Sequence, residues 1–321
     1  MMTKYKKLLL IFTLLCSQFS FASEKTLVRI GALAFGTVNW ELVAMQQAGM
    51  MQTEQYRLQV IKMANPQAAK IALQSGAVDM IVTDWIWVSR MRSLGRDYSF
   101  YPYSNTTGAL VVAENSSIKQ LQDLKNKKLA IAGGELDKNS LLLQALMQKK
   151  GQKEIFASIE KIYGAPPLLS QQMQDKRVDA LMTYWHYAAR MQAEGYRVLM
   201  SGTDILHGLG IQVSVPSIGY VFDRSWARSN KAAVQAFLEN TRQIKNTLCI
   251  DDFAWQNIEP LTQAKTAQVS QLLRQQYCAG RVLNWGTKEQ QAAAEIYQYL
   301  KNVSAARLTG NSETIQAGTF W

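Results

Sequence analysis

From Val28 onward the chain alternates two kinds of segment. VRIGAL, YRLQVIKM and VDMIV are short apolar runs, each followed by a longer stretch of helical period: VNWELVAMQQAG, PQAAKIALQSG and WIWVSRMRSLG. The alternation resumes with KKLAIAG and KNSLLLQALMQKKG, IEKIYG and PPLLSQQMQDK, then VDALMTY and WHYAARMQAEG. Such a pattern predicts parallel α/β units with right-handed crossovers. Gly76, Gly95, Gly151 and Gly195 fall at predicted helix ends, where glycine takes a left-handed cap cheaply.

The two series are copies. With residues 66–95 set above 166–195, Pro66, Gln74, Val78, Asp79, Thr83, Trp85, Arg90, Met91 and Gly95 each meet an identical residue. Chance at ordinary composition would give about two matches over such a window. A period this long indicates a duplicated half-domain, not a solenoid.

Between the copies runs FYPYSNTTGALVVAEN, and after the second runs GIQVSVPSIGYVFDRSW. Both are strand-like without an intervening helix and read as two crossings between lobes. KAAVQAFLENTRQIKNTL, AKTAQVSQLLRQQYC and TKEQQAAAEIYQYLKNV predict a helical tail packed mainly on the first lobe. The fold class is therefore α/β, with two similar lobes, two crossings and a helical C-terminal tail. The expected division is 23–104 plus 226–321 for the first lobe and 105–225 for the second.

The first residues read as a secretory signal peptide, 1–22. Lys4, Lys6 and Lys7 precede the apolar run LLLIFTLLC, and Ser20 and Ala22 are the small residues cleavage requires. The run is too short for the ~20 residues of a membrane span. Leu15 stands before Cys16 where a lipidation signal wants a small residue. The expected location is the periplasm. The formal charge of +11 includes the three leader lysines. The remaining basic residues are scattered, which argues for a basic soluble surface without a nucleic-acid partner. Cys249 and Cys278 survive processing and, in an oxidising compartment, are expected to form a disulfide. Two cysteines and two histidines make a poor metal site, so neither metal nor cofactor is expected.

Three stretches carry a family resemblance: VRIGALAFGTVNWELVAMQQAG, AAKIALQSGAVDMIVTD and SSIKQLQDLKNKKLAIAGG. They contain a G-x-x-D at Gly76–Asp79 and a turn into the second lobe at Ser117–Lys128, with Asn126 in the usual glycine position. The chain resembles the periplasmic substrate-binding proteins of ABC transporters, of type II fold. Within them it resembles the group of nitrate-, taurine- and aliphatic-sulfonate-binding proteins and the thiamine-pyrimidine-synthase-like proteins. The resemblance implies a monomer that closes on a small molecule and delivers it to a permease and ATPase in the inner membrane.

In α/β sheets ligands bind beyond the carboxyl ends of the strands. That rule nominates Phe35, Thr37, Asn39, Trp40, Asn65, Asp84, Trp85, Trp87, Tyr103 and Ser104 from the first lobe or the crossing. From the second lobe it nominates Glu135, Lys138, Asn139, Tyr184, Trp185 and His186. Each has a plainer alternative. Trp87 suits a core, Trp85 and Trp185 could share a structural role, Thr83 and Thr183 could cap helices, and His186 could be a packing residue. Asp79 and Asp179 read as turn residues. Asp84 and Tyr184 differ between the copies, as an asymmetric ligand would require.

The aromatic faces together with Asp84 and Glu135 favour a flat nitrogen-bearing aromatic, such as a thiamine pyrimidine precursor, or a small amine. Gly133–Ser140 with Lys138 leaves open an organosulfonate or nitrate, held at a helix N-terminus. A periplasmic sensor subunit is a further class. Catalysis is disfavoured: the cysteine cluster of the pyrimidine-forming branch is missing, and no G-x-S-x-G or metal spacing occurs.

Overall fold

A computed structural model describes residues 25–33 and 36–321. The predicted signal peptide and Phe35 lie outside the described residues. The first half runs β1 (Thr26–Leu33), α1 (Thr37–Gln47), β2 (Tyr56–Met63), α2 (Pro66–Gln74), β3 (Met80–Asp84), α3 (Trp85–Ser93) and β4 (Tyr98–Ser104). After a crossing come β5 (Ala109–Ala113), a 3₁₀ turn (Leu121–Leu124), β6 (Lys128–Ala132), α4 (Lys138–Lys149), α5 (Lys153–Ser158), β7 (Glu160–Gly164), α6 (Pro166–Gln174), β8 (Ala180–Thr183), α7 (Trp185–Ala193), β9 (Tyr196–Ser201) and α8 (Gly202–Leu209). The chain then returns through β10 (Ile218–Asp223) and α9 (Arg224–Ser229). It ends in α10 (Lys231–Ile250), α11 (Asp252–Thr262), α12 (Ala267–Ala279) and α13 (Thr287–Val303).

The strands form two five-stranded sheets, β2-β1-β3-β10-β4 and β7-β6-β8-β5-β9. The orders superimpose element for element, so the duplication legible in sequence is a duplication of topology. In each sheet three parallel strands are followed by one antiparallel strand that arrived from the other sheet. β10 runs antiparallel to β3 and β4, as β5 does to β8 and β9. The crossings are thus 105–108 and 210–217. The second falls before residue 225, because β10 belongs to the first sheet.

Recurring residues do recurring work. Asp79 accepts the Arg29 backbone N–H at 2.8 Å, and Asp179 accepts that of Lys128 at 2.8 Å. Each aspartate thereby ties the turn before the third strand to the start of the first. Asn65 caps α2 through the Ala68 N–H, and Pro66 and Pro166 occupy first-turn positions whose N–H would be unpaired anyway. Asn126 has φ +58°, a left-handed conformation that explains why glycine suits that position in the resembling family.

The tail departs from expectation. α10 and α11 pack on α1 of the first sheet, but α12 also packs against α7, and α13 lies on α4 of the second. The chain then comes back: Arg92 donates to the Ala317 carbonyl, Ser99 to that of Gly318, and Phe320 packs on Phe100. The Cys249–Cys278 disulfide is present and joins α10 to α12.

Candidate functional site

The carboxyl end of β3, where α3 begins, meets the first turn of α4 across the junction of the sheets. Asp84 ends β3 and caps α3, its Oδ1 accepting the Trp87 N–H at 2.8 Å. Its other oxygen faces Lys138 Nζ at 3.1 Å and Lys70 Nζ at 3.9 Å. Lys138 is the first residue of α4, in the other half of the molecule, so this ion pair bridges the two sheets. Asp84 is only 5% exposed. Burial disfavours its carboxylate, but Lys138, Lys70 and the Trp87 N–H outweigh that and hold its pKa below the usual value. Burial likewise disfavours the Lys138 ammonium, and Asp84 outweighs it, so that pKa is raised. For Lys70 burial prevails and the pKa is lowered. Lys70 also stands 5.2 Å over the Trp87 ring, which stacks on Tyr98.

Glu135 does not face Asp84. It takes a two-pronged pair from Arg307, at 2.7 and 2.6 Å, on the exposed surface. Neither nominated carboxylate therefore stands free for a ligand amine.

The aromatic residues divide. Trp85 is core: its indole N–H donates to the Pro216 carbonyl in the second crossing, and its ring meets Phe320. Trp185, its counterpart, instead meets Trp40 edge-on at 6.1 Å, across the two halves. These two tryptophans thus have different surroundings. Trp40 is buried among Trp255, Tyr277 and His186 and donates to the Leu261 carbonyl. His186 lies among Trp40, Tyr184, Trp185 and Tyr187, with no hydrogen-bond partner for Nδ1 among the described residues. Burial, aided by Arg190, lowers its pKa to about 3, so the ring is neutral. Tyr184 is pushed up to about 12 by burial and by Asp137.

Thr83 and Thr183 are not the caps; Asp84 and Tyr184 hold those positions. Asn65 is a cap and exposed. Asn39 lies half-buried in the first turn of α1. Ser104 bonds Thr106 and the Gly280 carbonyl, and Asn139 accepts the Gly108 N–H, both at the first crossing.

Thr37 and Tyr103 belong to a network centred on Glu41, which was not among the nominated residues. Tyr103 donates to Glu41 at 2.8 Å, and its hydroxyl lies 3.1 Å from that of Thr37. Glu41, 1% exposed, also accepts from Tyr277 and pairs with Lys245. Its place on the buried face of α1 was the available signal, because a carboxylate there must find donors.

A profile of the family described as NMT1/THI5 like matches residues 54–244, more than half of the chain. The chain belongs to the NMT1/THI5 like family. This NMT1/THI5 like chain is also 33% identical over 180 residues to a protein of Escherichia coli (strain K12) named for aliphatic sulfonate binding. That match takes in 54% of this chain and 52% of the relative, so the chain spans about half the relative's length. Two solved structures share the fold. One is the periplasmic aliphatic sulphonate binding protein SsuA from Escherichia coli, with TM-score 0.73, 21% identity and 92% of each chain covered. The other is the alkanesulfonate-binding protein SsuA from Xanthomonas axonopodis pv. citri bound to MOPS, with TM-score 0.70, 18% identity, and 93% of this chain and 99% of that one covered. The type II periplasmic binding fold expected from the sequence is thus the observed one.

Proposed function

We propose that this protein is the solute-binding component of an ABC import system and captures a small organic anion of the sulfonate type between its two sheets. The observation that carries the anion reading is the convergence of Lys70 and Lys138 on one carboxylate. Two ammonium groups face the one Asp84 carboxylate, with Asp137, which caps α4, beside Lys138. Lys138 opens α4, whose N-terminus is capped by Asp137 through the Ser140 N–H. The pyrimidine or amine ligand favoured by residue type alone needs an uncommitted carboxylate, and Asp84 and Glu135 are both paired. The relative named for aliphatic sulfonate binding supports the same choice. The protein binds, closes and hands its ligand to a membrane permease without turnover, and closure follows from hinge movement at the two crossings.

Titration of ethanesulfonate, nitrate and a hydroxymethylpyrimidine into wild type and Asp84→Asn tests this. Ethanesulfonate should raise the melting temperature, as ~2.7 kcal/mol of stabilisation accompanies ligand at a hundred times its dissociation constant. It should bind Asp84→Asn several-fold more tightly, since that change frees two lysines. Binding of the pyrimidine alone, lost in Asp84→Asn, would overturn the anion reading.

A further inference from the structure

α13 leaves the first half of the molecule and the tail returns to it, so the chain passes between the halves twice more than the crossings at 105–108 and 210–217. Trp285, just before α13, packs its ring on Phe100 of β4. α13 then lies on α4, and Tyr299 donates to the Leu209 carbonyl at the end of α8 at 3.0 Å. The chain next folds back along α13. Tyr297 donates to the Ser312 carbonyl, Gln298 donates to that of Glu313, and Lys301 pairs with the Glu313 carboxylate. From Gln316 on, the partners belong to the first half. The Gln316 N–H donates to Ser89 of α3 at 2.9 Å, and Arg92 and Ser99 donate to the Ala317 and Gly318 carbonyls.

The last anchor is built as a strand. β4 is an edge of the first sheet, and the tail covers that edge. The Phe100 N–H donates to the Thr319 carbonyl at 2.7 Å, and the Trp321 N–H donates to the Phe100 carbonyl at 2.9 Å, a parallel bridge. Phe320 meets the rings of Trp85, Phe100 and Trp285 at 6.1, 6.2 and 5.0 Å. Its contact with Trp285 brings both ends of the excursion to one place on the first half. Arg307 adds a tie midway: its side chain holds Glu135 of the second half, and its carbonyl accepts from Arg90 of the first. Only Thr314 and Ile315 separate Glu313, held on α13, from Gln316, held on α3. Three peptide units reach at most ~11 Å, so α13 and α3 cannot move further apart there while both anchors hold.

We propose that α13 and the tail form a strap that limits how far the two halves part. α13 moves with α4, and the tail moves with α3 and β4. α4 begins with Lys138, so the strap also keeps that ammonium within reach of Asp84, 3.1 Å away. Rotation about the two crossings is thereby confined to a narrow range. Releasing the tail from β4, or lengthening the link at 314–315, widens it.

Double electron–electron resonance on the ligand-free protein tests this. Nitroxides are placed at Leu94→Cys, 67% exposed at the end of α3, and at Gln148→Cys, exposed on α4. Cys249 and Cys278 are tied up in the disulfide. The labelled chain is compared with Phe320→Ala and with an insertion of glycine and serine, six residues long, between Thr314 and Ile315. The insertion keeps every anchor and adds ~20 Å of reach. The unaltered strap should give one narrow distance distribution. In both variants the distribution should broaden and its mean should lengthen by about 5 Å or more, within the added reach. An insertion that leaves the distribution unchanged overturns the proposal, whatever Phe320→Ala does, because a tail that only adds stability responds to the lost ring but not to slack in the link. A distribution already as broad with the strap unaltered as with the insertion overturns it equally. No ligand enters the measurement, so its outcome is separate from that of the sulfonate titration.

Discussion

Replacing Lys138 by Met keeps the length of the stem and removes the charge that Asp84 faces across the two sheets. Unit charges 3.1 Å apart attract by about 5 kcal/mol at an effective dielectric constant near 20. Desolvation of both groups consumes much of that. Stranding one member of a buried pair typically costs ~3–5 kcal/mol, but Asp84 would keep Lys70 at 3.9 Å and the Trp87 N–H. The expected loss is therefore about 2–3 kcal/mol near pH 7, read by urea unfolding followed through tryptophan fluorescence.

The pH dependence has a definite sign. The folded Asp84 pKa is depressed, so its stabilisation is present above the unfolded value and disappears as pH falls through the folded one. The folded Lys138 pKa is raised, so its share is present below the unfolded value and is lost as pH rises through the folded one. The cost of Lys138→Met should shrink in acid as Asp84 takes up its proton in both proteins. A cost below about 0.5 kcal/mol at pH 7, the floor expected of surface changes, would refute the bridging pair. So would a cost that is undiminished at acid pH.

Three other outcomes follow from the same structure. Glu41→Gln strands Lys245 inside α10 and should cost ~3–5 kcal/mol by chemical denaturation, with Glu41→Gln/Lys245→Met recovering a large part. Reducing Cys249–Cys278, separated by 29 residues, should lower stability by ~3–4 kcal/mol on the chain-entropy account, visible as a drop in melting temperature with dithiothreitol. His186 has its folded pKa lowered to about 3, so the unfolded chain binds a proton first and stability falls as pH drops from ~6.5 toward that value. His186→Gln should flatten that limb, and the ring should show no NMR titration between pH 5 and 8.

Much of this architecture was legible because the two halves repeat. Residues 66–95 and 166–195 gave α2, α3, α6 and α7 with boundaries within a few residues, since Pro66 and Pro166 open helices and Gly95 and Gly195 follow their ends. What has no twin was harder. α11 carries Pro260 inside a helix, which reads locally as a breaker. α8, with Gly202 and Gly208, hid beside the second crossing. The destination of α13 was invisible because its apolar face fits either half; only the packing on α4 decides. The site suffered differently. Residue type identified Asp84 and Glu135 as acceptors, but pairing partners from distant segments, Lys138 and Arg307, decide whether an acceptor is available.

The divergence between the copies then acquires a physical meaning. Val78, Asp79, Thr83 and Arg90 recur at 178, 179, 183 and 190, and the aspartates do the same job in both halves. Lys70 and Asp84 do not recur; Ser170 and Tyr184 stand in their places. The carboxylate and one ammonium of the cluster therefore belong to the first half, and its other ammonium, Lys138, comes from the second. A duplicated scaffold with a carboxylate at the end of β3 and a phenol at the matching place after β8 suits an asymmetric ligand. Exchanging the pair, by Asp84→Tyr with Tyr184→Asp, should leave the fold intact and move the carboxylate to the matching place after β8. Lys70 and Lys138 would then be free for anions, and ethanesulfonate affinity should rise while unfolding free energy falls by the worth of the lost bridge, about 2–3 kcal/mol. Unchanged affinity in that exchange would separate the repeat's divergence from ligand recognition.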